Sequence, residues 1–219
     1  AGSGLGVILT LAASFFTDIR TSVILVSLLG FVIQAVKIVH FWKFARWDII
    51  RWYLLLGIPL SVLGGWLLFF LPQRPLEIAV GLASLGFCLA DLRPGKVRMV
   101  PSKGALVGIG ALNGFLGGIV GNGALLRAPA LLSFGLTKEV FVGTASVIAI
   151  FMNIGKTSVY LAQYSWTKEM VILLVAAVPV VSAGVYIGKR LLRFVHPVTF
   201  ERILVALVFV GALRLLFFP

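Results

Sequence analysis

The 219-residue chain is 60% hydrophobic and only 12% charged, with a mean hydropathy of +1.11. A soluble domain carries about a quarter charged residues, so this composition excludes a water-exposed surface and implies an all-α polytopic membrane protein. The 19 Lys+Arg against 7 Asp+Glu give a net charge of +12, which in short clusters between apolar stretches reads as basic cytoplasmic loops and not as a nucleic-acid surface.

In chain order, residues 2–16 open at Gly2-Ser3-Gly4 and resemble the second part of a broken membrane element. Apolar segments follow at 20–42, 47–70 and 75–92, each near the ~20 residues that cross a bilayer core as a helix. A basic linker at 93–103 separates them from residues 104–136, which are too long for one span. That stretch is interrupted by Gly117-Gly118-Ile119-Val120-Gly121-Asn122-Gly123. Further spans are expected at 139–162, 167–188 and 199–217. The single Cys88 allows no internal disulfide, and His40 and His196 are isolated, so no metal or other cofactor is expected.

An offset of 119 residues aligns the chain with itself. Gly2-Ser3-Gly4 falls on Gly121-Asn122-Gly123, Ser27 on Ser146, Gln34 on Asn153, Lys37 on Lys156, Phe41 on Tyr160, Trp47 on Trp166 and Gly65 on Gly184. Past a short insertion, Glu77 meets Glu201. Matches at Gly, Trp and intramembrane Lys carry weight in so apolar a chain. The duplication divides it into a first repeat, 1–92, and a second, 104–219, joined by the basic linker. The second copy has 104–120 ahead of its Gly-Asn-Gly, so about 15–20 membrane-embedded residues are expected to precede residue 1.

If 104–136 enters the membrane, turns at the glycines and returns to the same side, twelve loop Lys and Arg share one side. Arg20, Arg74, Lys168 and Arg214 take the other, as the positive-inside rule asks. Each half then holds one glycine-broken re-entrant hairpin (or broken helix) and three transmembrane helices. An odd number of spans makes the two repeats inverted, an arrangement common in transporters.

Two elements could carry chemistry. A glycine turn at membrane depth exposes backbone groups, and the half-helix starting near Gly123 presents free N–H groups and a positive dipole end, a ready anion site. Gly4 offers the same in the first copy. Upstream, Gly104, Gly108, Gly110, Gly114 and Gly118 are expected to serve helix packing. The second element is the repeated polar-x-x-Lys pair, Gln34 with Lys37 and Asn153 with Lys156, whose spacing puts amide and ammonium on one helix face. A lysine inside a bilayer costs at least ~2.5 kcal/mol and marks a pathway, the bland alternative being that it snorkels to the interface. Inverted repeats would place one cation on each approach to the centre.

Every acidic residue lies near a segment end, so nothing is placed as a mid-membrane base, metal ligand or proton relay. Ser3 and His40 suggest a hydrolase, but the repeat answers them with Asn122 and Val159; an enzyme is not expected. With only positive charge inside, Arg127 included, the natural cargo is an anion.

The run Gly121-Asn122-Gly123 followed by Pro129, then Lys138, Gly143-Thr144-Ala145-Ser146, Asn153 and Tyr160 resembles the TauE/SafE family of sulfite and organosulfonate exporters. The family's triple glycine is Gly-x-Gly in both halves here, and Thr10 stands where the first half's proline is expected. The resemblance implies export of a small sulfur-containing anion across the bacterial inner membrane. The residues alone imply a small-anion carrier working by alternating access. Its binding residues would be Gly2, Ser3, Gly4, Gln34, Lys37, Gly121, Asn122, Gly123, Asn153 and Lys156, and its surroundings membrane lipid, with a homodimer allowed. An anion channel and a membrane enzyme acting on a lipid-linked phosphate are the rival readings.

Overall fold

The computed structural model describes residues 5–92, 102–121, 123–136, 138–168 and 197–217, with scattered positions between 171 and 183. Among these the regular structure is helical: α1 Leu5–Ala13, α2 Ile19–Phe41, a 3-10 turn at Trp42–Phe44, α3 Trp47–Phe70, α4 Gln73–Leu92, α5 Lys103–Val120, α6 Ala124–Ser133, α7 Lys138–Gln163 and α8 Pro197–Phe217. Trp47–Phe70, Lys103–Val120 and Glu139–Gln163 are long and apolar enough to cross a membrane. The expected spans match α2, α3, α4, α7 and α8 to within two or three residues, while 167–188 lies largely outside the described residues.

Local chemistry sets the boundaries. Asp18 caps α2, its side chain accepting from the Thr21 N–H at 2.9 Å, and Ser102 caps α5 by accepting from the Ala105 N–H at 3.2 Å. α5 stops at Gly121, whose φ of +80° is left-handed, a conformation costly for any residue with a Cβ.

Close backbone approach then assembles three helices. On α5, Gly110 lies against the Tyr53 backbone, Gly114 against Gly57, and Gly118 against Ser61, Gly64 and Gly65 of α3. The numbers rise together, so α3 and α5 run parallel. Gly57 also meets Met152, Gly155 meets Ser61, and Gly65 meets Lys156 and Tyr160, which sets α7 parallel to α3 on another face. Lipid gives helices no hydrophobic reason to associate, so small residues that admit a neighbour's backbone supply the contact. Gly104 and Gly108 face open space and take no part in this packing, contrary to the expectation for them. α2 runs antiparallel to α7: Phe41 borders Gly143, while the Thr21 and Tyr164 hydroxyls bond at 2.7 Å.

Leu131, Phe134 and Leu136 share a core cluster with Ile49, Ile50, Tyr53 and Leu106. α6 therefore ends near the level at which α3 and α5 begin, where the Lys103 ammonium sits 5.0 Å over the Trp52 ring. The helices also repeat along the chain. α1 and α2 recur as α6 and α7 at an offset of 119, and α4 recurs as α8 at 124.

Three arginines expected on the minority-charge side bond helix-end carbonyls. Arg20 donates to Leu71 O at 2.7 Å, Arg74 to Leu215 O at 2.9 Å, and Arg214 to Ser14 O at 3.1 Å. Such carbonyls have no partner within their own helix and carry partial negative charge.

Candidate functional site at the glycine turn

The turn between α5 and α6 is enclosed by α2, α3 and α7. On its α5 side, the Lys156 ammonium donates to Gly117 O at 3.4 Å and, more closely, to Gly121 O. The Tyr160 hydroxyl donates to Gly118 O. Ser27 Oγ shares its proton between Val23 O at 2.6 Å and Gly121 O at 3.1 Å. Lys156 is only 3% exposed, so its side chain points inward and does not snorkel.

On the α6 side, Gly123 caps the helix without a side-chain bond, and the first turn carries no acidic residue. The leading N–H groups of a helix lack intrahelical partners, and here Gly123 abuts the Asn113 amide. Asn113 Nδ2 reaches Met152 Sδ at 3.1 Å, while Asn113 Oδ1 and the Tyr53 hydroxyl are buried without a hydrogen-bond partner. Leaving such a group unmet costs about 1–3 kcal/mol.

Arg127, one turn into α6, is only 7% exposed. Its guanidinium acts on Lys37, on Lys156 and on Tyr53. Lys37, Arg127 and Lys156 come from α2, α6 and α7. Among the described residues, Asp48 pairs with Arg46 and Glu77 with Arg74, Asp18 caps α2, and Glu139 is exposed at the start of α7. None of these four is paired with Lys37, Arg127 or Lys156.

Of the residues expected from sequence, Gly121, Gly123 and Lys156 meet at this turn, Lys37 lies ten residues beyond Ser27 on α2, and Gln34 and Asn153 are half-buried on the same helices as the lysines. Gly2, Ser3, Gly4 and Asn122 lie outside the described residues. Because α2 and α7 are antiparallel, Lys37 stands toward the start of α7 and Lys156 toward its end. Asn113, Tyr53, Ser27 and Tyr160 were not expected in the site. A lone asparagine inside a span was the available signal for Asn113, whereas Tyr53 looked like an ordinary core aromatic. A groove of about 570 Å³ on the outer faces of α3 and α7, lined by Pro59, Val62, Leu63, Trp66, Ser158 and Gln163 among others, lies apart from the turn.

Residues 1–215 match the family model described as sulfite exporter TauE/SafE. The chain belongs to the TauE/SafE family. No curated protein and no solved structure matches it. TauE/SafE membership makes it an integral membrane transporter of a small anion, with sulfite export as the family's activity and no enzymatic role at that level.

Proposed function

We propose that this TauE/SafE chain exports sulfite or a small organosulfonate across the bacterial inner membrane by alternating access, with the anion held at the Gly121–Gly123 turn. The observation that carries the reading is the start of α6 at the buried turn, with no side-chain cap and no acidic residue in its first turn, and with buried Arg127 one turn into the same helix. Backbone N–H groups at the start of α6 and Arg127 bond the oxyanion, Lys37 draws it in, and Gln34, Asn122 and Asn153 add hydrogen bonds. The unmet Tyr53 hydroxyl is a further donor. Gly2, Ser3 and Gly4 form the matching half.

The same reading makes α5 and α6 a re-entrant hairpin, supported by the return of α6 to the level where α5 starts. It makes 1–92 and 104–219 inverted repeats, supported by the recurring helix boundaries and the antiparallel pairing of the equivalent helices α2 and α7. In inverted repeats a broken helix at the midplane aims its N-terminus at an anionic group. The basic side is cytoplasmic, and Arg20, Arg74 and Arg214, engaged on helix ends, do not weigh against this.

The test is sulfite efflux from loaded vesicles reconstituted with the purified chain. Efflux exceeds that from protein-free vesicles, and replacing Lys37 by Ala together with Arg127 by Gln lowers the rate at least about tenfold. Equal efflux with and without protein sinks the reading.

A further inference from the structure

We infer that Lys156 serves the anion at one remove: its ammonium and the Tyr160 and Ser27 hydroxyls clamp the carbonyl end of α5, and so fix where the turn presents the N–H groups of α6. What the clamp serves rests on the anion-carrier reading above. The clamp itself rests on contacts alone.

The last carbonyls of α5 have no N–H four residues on to bond them, and burial denies them water. Two side chains of α7, one turn apart and therefore on one face, meet this demand: Lys156 at Gly117 O and Gly121 O, and Tyr160 at Gly118 O. Ser27 of α2 adds a third grip on Gly121 O. The packing brings them there, since Gly65 of α3 leaves space that both Lys156 and Tyr160 fill, at 3.3 Å from where its Cβ would lie. A buried ammonium needs negative charge beside it, and the helix C-terminus supplies a fraction of one. Two of the three ammonium protons are thereby engaged on carbonyls. The anion's donors lie across the turn, at the start of α6 and on Arg127. Gly121 belongs to the carbonyl side and Gly123 to the N–H side, with a single residue between them, so a grip on the first positions the second. A loosened turn must be ordered when the anion binds, which lowers affinity without removing any contact to the anion.

The experiment is a double-mutant cycle on sulfite binding by the full chain in detergent, measured by calorimetry, with amide hydrogen exchange followed over residues 118–126. Tyr160→Phe and Lys156→Gln each weaken binding about fivefold and speed exchange at the turn, and Lys156→Arg restores binding to within about twofold of the unaltered chain. The double variant is no more than about twofold weaker than the weaker single, because two grips on one turn are not additive. A double variant as weak as the product of the two singles, with exchange unaltered in Tyr160→Phe, makes Lys156 a direct ligand and overturns the inference. Should Lys156→Gln not fold, Ser27→Ala completes the cycle with Tyr160→Phe, and additivity there overturns it equally. If the unaltered chain binds no sulfite, the carrier reading fails; faster exchange in Tyr160→Phe then still upholds the clamp, and unchanged exchange refutes it.

Discussion

Gly118→Ala is the sharpest test of how α3 and α5 are held together. A methyl group at Gly118 would lie 2.6 Å from both the Gly65 nitrogen and the Ser61 carbonyl oxygen, with the Gly64 carbonyl carbon at 2.8 Å. All three are backbone atoms, so no side-chain tip can swing aside, and the helices must part by about 0.8 Å to reach ordinary contact at 3.4 Å. A gap of that size forfeits roughly a quarter to a half of the dispersion attraction of the atoms that lined it. Overpacking of this kind costs about 1–3 kcal/mol, and the backbone collision puts Gly118 at the upper end. The greater helix propensity of Ala returns about 1 kcal/mol, leaving a net loss near 2 kcal/mol. Gly108→Ala is the same chemical change on the same helix with nothing within 4 Å, so only the propensity gain of up to about 1 kcal/mol remains. The two variants should therefore differ by about 3 kcal/mol in reversible unfolding by SDS titration at fixed micelle composition. If Gly118→Ala is as stable as Gly108→Ala, the parallel glycine contact does not hold these helices.

Three further outcomes follow from the same contacts. Gly121→Ala forces a Cβ into left-handed backbone, 2.7 Å from Val23 Cγ1 and 2.9 Å from Ser27 Oγ, and should destabilise by about 2–3 kcal/mol in the same titration while abolishing sulfite efflux. Asp18→Ala removes the cap of α2 and should cost about 1 kcal/mol with efflux kinetics retained. Lys37→Ala should raise the sulfite concentration for half-maximal efflux about tenfold, corresponding to about 1.4 kcal/mol of lost attraction; an unchanged value would remove Lys37 from the pathway.

Much of the fold was legible because a membrane span has a length and a composition that a sequence shows directly. The ends of α2 and α3 were readable from the apolar runs and the Trp, Lys and Arg between them. The break at Gly121 was readable because Gly-x-Gly recurs 119 residues earlier, where chance matches of Leu or Val would have meant nothing. The glycines of α5 were less legible: Gly110, Gly114 and Gly118 line a helix contact, yet Gly104 and Gly108 do not, and only the facing helix distinguishes them. Tyr160 was visible as the counterpart of Phe41, but its function in the turn lies in the hydroxyl that Phe41 lacks. Arg127 registered as positive charge, without its burial one turn into α6.

By itself the sequence determined the helical membrane class, the helix boundaries and the glycine break, since each is a property of composition, length or spacing along one chain. Only the tertiary structure decided that α3, α5 and α7 run parallel, that Arg127 is buried, and that the Lys156 ammonium is engaged on the carbonyl end of α5. The physical reason is that spacing determines which residues share a helix face, whereas the unmet carbonyl or close backbone opposite that face comes from a helix distant in sequence.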